Sequence, residues 1–288
     1  MINASIFVHK LITRRMMNQP ERLPAHVRRE RIVELLVQRG DGSLPVDELA
    51  ATLGVSTATV RRDLGQLREE GRITRTYGGA ALGMAPAEKS VRQRELSNVP
   101  QKDAIARTAA QWVEPGAVVL LDAGSTTERL ARVLRTIPHL TVVTNSIAAT
   151  ATLLEYGDTE IVVLGGRLRR INQAISGSAS EQMVATLYAD VAFLGGDAVD
   201  PGRGIASRTM EQSALKSTMA AHARSVVVVA DSTKLTAGWP SYWSPMTRPW
   251  TLVTDDGADP DLVESFSAAN PQLRVVTCPL PAATEVGG

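Results

Sequence analysis

From residue 102 onward the chain alternates short, β-rich and largely apolar runs with helical stretches. The runs lie at 117–122, 140–144, 160–164, 191–194, 225–231, 251–254 and 274–277, and the helical stretches at 103–112, 126–135, 147–155, 179–187, 211–222 and 261–267. A strand that is apolar on every residue has both faces covered, and strands separated by helices are joined by crossovers. The pattern therefore predicts an α/β domain built on a parallel sheet with helices on both sides. Val226–Ala230 is typical of the longest apolar runs, far below the roughly 18 residues of a membrane helix. Neither an internal repeat nor a low-complexity tract interrupts the sequence.

Residues 24–80 follow a different pattern. Ile32, Leu35 and Leu36 mark a first helix stopped by Arg39-Gly40, and Val46, Leu49, Ala50 and Leu53 mark a short second one ended by Gly54. Ser56 is an N-cap for a third, in which Val60, Leu64 and Leu67 recur at i, i+4 and i+7. Gly71 ends it. Ile73 and Thr74 read as a short strand that turns at Gly78-Gly79. A chain of 288 residues is comfortable for two domains. The expected division is an extension over 1–19, a helical domain over 20–80, a linker over 81–101 and the α/β domain over 102–288. The extension carries Lys10, Arg14 and Arg15 among broken apolar residues and is expected to be disordered, with Met16 or Met17 as the natural start. Residues 81–101 hold Ala, Pro and mixed charges without periodicity, which is the composition of a linker.

Composition removes several classes of function. Lys plus Arg is 31 and Asp plus Glu 30, so a global polycation that coats nucleic acid is excluded. Aromatics at 4% argue against a stacking platform for single strands. One cysteine, Cys278, and four scattered histidines are too few for a Cys/His zinc site and allow no intrachain disulfide, which fits a cytoplasmic protein without metal or cofactor.

The third helix has the form of a DNA reader. On a helical wheel Val60, Leu64 and Leu67 face inward. Ala58, Arg62 and Gly65 face outward, with Thr59, Arg61 and Gln66 on the flanks. Slim residues allow close approach to a major groove, and Arg and Gln suit base edges and phosphates. Only Gly54-Val55 separates the preceding helix from the Ser56 cap, the spacing of a helix-turn-helix. By spacing alone a solvated amphipathic helix in a small bundle fits as well. Bulk charge does not decide, since residues 20–82 hold 10 Arg and 9 acidic residues.

Longer stretches are more specific. Arg29-Glu30-Arg31-Ile32, Val46-Asp47-Glu48-Leu49-Ala50, Val55-Ser56-Thr57-Ala58-Thr59-Val60-Arg61-Arg62-Asp63-Leu64 and Gly71-Arg72-Ile73-Thr74-Arg75-Thr76-Tyr77-Gly78-Gly79-Ala80 resemble the DeoR family of bacterial transcription regulators. The resemblance implies a winged helix-turn-helix that binds double-stranded operator DNA. Ser56, Thr57, Thr59, Arg61, Arg62 and Gln66 would lie on or beside the reading helix. Arg75, Tyr77, Gly78 and Gly79 would form the wing. Gly65, a weak helix former at an exposed position, is the one departure.

In a parallel α/β sheet, ligands bind outside the C-terminal strand ends. Five successive ends here carry Gly, hydroxyl, carboxylate, amide or Lys: Asp122-Ala123-Gly124-Ser125-Thr126-Thr127, Thr144-Asn145-Ser146, Gly165-Gly166, Gly195-Gly196-Asp197 and Asp231-Ser232-Thr233-Lys234. Singly, each reads as a turn or a cap; together they predict a pocket. Backbone N–H groups of Gly124, Ser125 and Thr126 at a helix N-terminus favour an anion, and Lys234 adds a positive charge. Asp122, Asp197 and Glu211 would accept from hydroxyls. These features suit a small phosphorylated polyol. The same segments, with Lys102-Asp103-Ala104-Ile105-Ala106 and Ala189-Asp190-Val191-Ala192-Phe193-Leu194-Gly195, resemble the DeoR sensor domain, similar in fold to ribose-5-phosphate isomerase. The resemblance spans residues 24–280 and implies a phosphorylated sugar or sugar derivative as effector. The expected effector set is Asp122, Gly124, Ser125, Thr126, Asn145, Gly165, Gly166, Asp197, Glu211, Lys216, Asp231 and Lys234.

The alternative is an active sugar-phosphate isomerase, with Glu211 and Asp197 as acids and Lys216 as electrophile. Such isomerases carry an Asp-Gly-Ala-Asp-Glu loop. Gly196-Asp197-Ala198-Val199-Asp200 matches it in part, and Asp255-Asp256-Gly257-Ala258-Asp259 falls on another strand, where it reads as a surface turn. There is no Gly-x-Ser-x-Gly elbow and no Walker A motif, and Gly202-Arg203-Gly204 lacks the third glycine of a dinucleotide fingerprint. The expectation is thus a non-enzymatic repressor of carbohydrate genes, a homo-oligomer acting away from the membrane. Ala237–Trp250, with three Trp and three Pro, is left as a lid or an oligomer contact.

Overall fold

The computed structural model describes residues 23–38, 43–69, 73–76, 79–82, 88–155, 158–235 and 242–280. The chain forms two compact units, Met1–Pro86 and Ala87–Gly288. The extension over 1–19 lies outside the described residues.

The N-terminal unit contains α1 (Ala25–Gln38), β1 (Ser43–Pro45), α2 (Val46–Leu53), α3 (Thr57–Glu69), β2 (Ile73–Thr76) and β3 (Gly79–Leu82). The apolar positions read from the sequence form its core: Ile32, Leu36, Leu49, Val60, Leu64, Leu67 and Ile73 are buried together. Gly54 adopts φ 64°, the left-handed geometry that ends α2, and its N–H reaches back to Ala50 and Ala51. Ser56 Oγ then accepts from the Thr59 N–H at 3.2 Å, the cap expected of α3. β2 and β3 pair antiparallel, and β1 joins the far side of β3. β1 was not anticipated, being three residues long and ending in proline.

The C-terminal unit begins earlier than the sequence suggests. Residues 90–101, read as linker, fold into α4 (Val91–Glu95) and the first turn of α5 (Val99–Ala109). Ser90 and Gln93 make a reciprocal capping box on α4, and Val91 is buried. α5 then ends in a 3-10 turn over Ala110–Trp112. A five-residue helix is too short to show periodicity, so its only sequence signal was the Ser-x-x-Gln box.

The main sheet has seven parallel strands: β4 (Val118–Leu121), β5 (Thr141–Thr144), β6 (Glu160–Val163), β9 (Ala189–Leu194), β12 (Ala223–Val229), β14 (Trp250–Asp255) and β15 (Leu273–Cys278). Its order is β15-β14-β12-β9-β4-β5-β6. Alternate residues face opposite layers. Val119, Leu121, Val191 and Phe193 pack with α5, α6 (Ser125–Leu134) and α7 (Ile147–Leu154). Leu120, Ala192, Leu194 and Val228 pack with α8 (Ser178–Ala185), α9 (Met210–Ala221) and α10 (Pro260–Ala269). The order reverses between β4 and β9, so the crevice for a ligand falls at the C-terminal ends of those two strands.

Two small sheets were not legible in the sequence. β7 (Arg167–Arg169) and β8 (Ala174–Ser176) form a hairpin, and β10 (Val199–Asp200), β11 (Gly204–Ser207) and β13 (Tyr242–Ser244) form an antiparallel trio. The Trp- and Pro-rich segment is therefore divided. Tyr242–Ser244 is a strand, Trp250 opens β14, and 236–241 lie outside the described residues. Arg203, in the β10–β11 turn, stacks over Trp243 at 4.2 Å. Among the described residues no helix is long and apolar enough to cross a membrane.

Candidate functional site

In the N-terminal unit the third helix presents the face the wheel predicted. Ser56, Ala58, Arg61, Arg62 and Gln66 are exposed, and Thr57 and Thr59 half-buried. A side chain at Gly65 would meet nothing within 4 Å, so that stretch of the surface is slim. Asp63 is different. It is buried, and its carboxylate takes two hydrogen bonds from Arg28 of α1, from Nε at 2.5 Å and from Nη2 at 3.0 Å. This bidentate pair fixes the reading helix against α1. Sequence reasoning placed Asp63 in a motif without seeing its partner, 35 residues away. The backbones of Arg75 and Gly79 lie in β2 and β3, while Tyr77 and Gly78 lie outside the described residues.

In the C-terminal unit the centre of the rim is Asp122, at the end of β4 and 2% exposed. Its carboxylate accepts from Lys216 Nζ of α9, from the Gly195 N–H after β9 at 3.2 Å and from Asn145 Nδ2 after β5 at 3.3 Å. One side chain thus ties three strand ends and a helix together at the point where the strand order reverses. Asn145 also donates to the Ile175 carbonyl at 3.2 Å, and its own Oδ1 is buried without a partner among the described residues. That leaves an acceptor open at the crevice. Ser125 and Thr126 are buried in the first turn of α6, where helix geometry leaves N–H groups without intrahelical acceptors.

Asp197 stands between two guanidiniums, Arg94 Nη1 at 3.4 Å and Arg208 Nε at 3.8 Å. Asp231 is buried, and its Oδ1 accepts from Asn98 Nδ2 at 3.1 Å and from both the N–H and Oγ1 of Thr233. Lys234 is half-buried on the same loop. Two strand spacings separate the ends of β4 and β12, about 10 Å, so an elongated ligand rather than a single atom joins Gly124 to Lys234. Two expected residues sit differently. Glu211 is on the exposed margin, 3.4 Å from Arg167, where bonds from its own N–H and from Thr209 hold its carboxyl below the usual range. Gly166 is a packing glycine: a Cβ there would lie 2.7 Å from the Ser176 carbonyl oxygen and 2.9 Å from Ser180 Oγ. Gly165 is held beside it, its carbonyl accepting from Ser180 Oγ.

Sequence reasoning missed the contribution of α4 and α5. Lys102 is buried, and its ammonium donates to the carbonyls of Arg94 and Ser97, closing the corner between the two helices. Burial pulls its pKa down to about 8, against the nearby Asp231 and with the help of Lys234, Arg129 and Arg94. Lys102 lies in a segment that resembles the family, but no strand-end rule points to it. The isomerase-like carboxylate Asp200 instead closes the β10–β11 turn, accepting from the N–H groups of Gly202 and Arg203 at 2.9 and 2.8 Å. Among the described residues no group of His, Cys, Asp and Glu could hold a metal ion.

A helix-turn-helix with a β-hairpin, followed by a doubly wound sheet whose crevice is lined by paired charges, defines a two-part regulator: a DNA reader joined to a sensor. Comparison with known proteins gives the same division. Residues 28–83 match the model of the DeoR-like helix-turn-helix domain, and residues 97–256 that of the DeoR C-terminal sensor domain. The HTH-type transcriptional repressor CsqR of Escherichia coli is 35% identical over 74% of this chain and 80% of its own length. The HTH-type transcriptional regulator GlpR of Haloferax volcanii is 36% identical over 86% and 96%. The glycerol-3-phosphate regulon repressor of Escherichia coli is 30% identical over 70% and 80%. A solved ribose-5-phosphate isomerase from Methanocaldococcus jannaschii covers 49% of this chain and 56% of its own at 21% identity, with a TM-score of 0.37. The chain belongs to the DeoR family of transcription regulators.

Proposed function

We propose that this protein is a cytoplasmic repressor of carbohydrate-metabolism genes that releases its operator when a phosphorylated sugar or polyol occupies the rim of the C-terminal sheet. The observation that carries the effector reading is the β4/β9 switch point. There a buried carboxylate, an amide with an open acceptor and a helix N-terminus meet, with a lysine on the loop after the adjacent strand β12. The amide acceptor and carboxylates suit hydroxyl groups, and the N–H groups and Lys234 suit phosphate. Relatives named as repressors, one of them of the glycerol-3-phosphate regulon, support the same direction. The rim carboxylates Asp122 and Asp197 are each engaged in ion pairs, which favours holding a ligand over abstracting a proton from it.

DNA binding falls to Arg61, Arg62 and Gln66 on the third helix. One such helix covers too little surface for a tight operator complex, so the working form is a homo-oligomer spanning half-sites about 34–36 Å apart. Ligand shifts the equilibrium toward a state in which those readers no longer match the spacing. A thermal-shift screen of pentose, hexose and triose phosphates against their unphosphorylated parents tests the effector class. A ligand at 100 times its dissociation constant adds about 2.7 kcal/mol to stability. Stabilisation by a phosphorylated compound alone is the expected result, and equal stabilisation by its unphosphorylated parent contradicts the phosphate assignment.

A further inference from the structure

The loop that carries Lys234 is clamped from the neighbouring strand. β12 and β14 pair in parallel with Val229 opposite Val253, so Asp231 and Asp255, two residues further along each segment, stand at the same level of the rim. The stretch Asp255–Asp259 reads in the sequence as a surface turn, but Asp255 is only 1% exposed. Its carboxylate accepts from the Ser232 N–H at 2.8 Å, from Ser232 Oγ at 2.9 Å and from the Gly257 N–H at 3.1 Å. Its buried charge is thus met by hydrogen-bond donors, two of them on the Lys234 loop. The turn leaves room for this reach: a Cβ at Gly257 would lie 2.7 Å from Asp255 Oδ2 and 3.1 Å from Ser232 Oγ. On its other side the loop is tied by Asp231, whose carbonyl accepts the Lys234 N–H at 2.8 Å.

We propose that Asp255 is a positioning residue of the effector site, fixing the 231–235 loop so that Lys234 meets the anionic group of the ligand already in place. The proposal rests on the phosphosugar reading. A loop held in advance loses little freedom when ligand binds, whereas a loosened loop must be ordered at that moment and binds more weakly.

The test uses the full chain, with inorganic phosphate as probe at constant ionic strength, followed by thermal shift. Asp255→Ala is expected to raise the half-saturating phosphate concentration at least tenfold. Asp255→Asn, which keeps an acceptor for the Ser232 N–H, should stay within fivefold. In a Lys234→Ala background Asp255→Ala should add less than twofold, because the two act through one loop. Operator affinity without phosphate should be unchanged. Should Asp255→Ala not fold, Ser232→Ala takes its place, with a two- to fivefold rise and the same loss of effect beside Lys234→Ala. Half-saturation unchanged in Asp255→Ala, or in Ser232→Ala where that stands in, overturns the proposal, and so does an equal loss with and without Lys234. A wild-type chain with no saturable response to phosphate overturns the phosphosugar reading itself, a result distinct from either.

Discussion

The reading helix and the sensor rim solve opposite problems. The side chains of Arg61, Arg62 and Gln66 are exposed, which leaves them accessible to a ligand as large as a DNA duplex. At the rim, Asp122, Lys216, Asn145 and Asp231 are buried and hydrogen-bonded to one another, to the backbone or, for Asp231, also to the Asn98 side chain. In the first region the proposed function and stability rest on different residues, since Asp63 and Arg28 hold the helix while the outer face proposed to meet DNA takes no part in that packing. At the proposed effector site they would rest on the same ones. Substitutions should therefore separate the two properties in one unit and mix them in the other.

The largest effect follows from that mixing. Lys216→Ala leaves the Asp122 carboxylate buried without its cation, which should cost about 3–5 kcal/mol of stability. Urea unfolding monitored by circular dichroism measures it. A loss below about 1 kcal/mol would mean that the pair is solvated and that the contrast between the two regions fails.

Arg62→Ala should do the reverse. Operator affinity should fall by about 1–3 kcal/mol if Arg62 reads a guanine, or the salt dependence should flatten if it meets only phosphate. The melting temperature should stay where it is. Fluorescence anisotropy over a range of salt separates these outcomes. A stability loss in place of an affinity loss would place Arg62 in the fold and not at the interface.

A smaller effect concerns the segment that begins the sensor unit. Glu95 on α4 has its pKa raised to about 7, chiefly by a hydrogen bond shared with Glu128, then by burial and by the charge of Glu128, against Arg132 and Arg129. In the folded chain it holds its proton up to about pH 7, whereas an unfolded glutamate releases it above about pH 4.5. The folded state thus loses stability from this group as pH rises through that window. Glu95→Gln should remove the loss, so its melting temperature should gain on the wild type between pH 5 and pH 8. A constant difference across that range would show that the two carboxyls do not share a proton.

Legibility in the sequence divides along similar lines. The seven strands were readable because each holds a short run of β-branched and other apolar residues, and the third helix because Val60, Leu64 and Leu67 keep a helical period. The rim residues at strand ends followed from one topological rule. What escaped depends on distant contacts or on very short elements. α4 has five residues, and β10 and β11 gain their meaning only from β13, some forty residues on. Arg28 meets Asp63 across two helices. Asp255 looked like a turn because its burial depends on Ser232, 23 residues before it, and on the parallel register of β12 and β14.

The central claim is that the two units are coupled through a phosphorylated ligand, and an operator titration with and without a saturating phosphosugar found in the screen tests it most directly. Coupling of about 1–3 kcal/mol, the usual range, corresponds to roughly 5- to 150-fold. The account predicts operator affinity weakened by that factor on addition of ligand, and ligand affinity weakened equally by operator. Tighter DNA binding in the presence of ligand, or affinity unchanged in both directions, would contradict it.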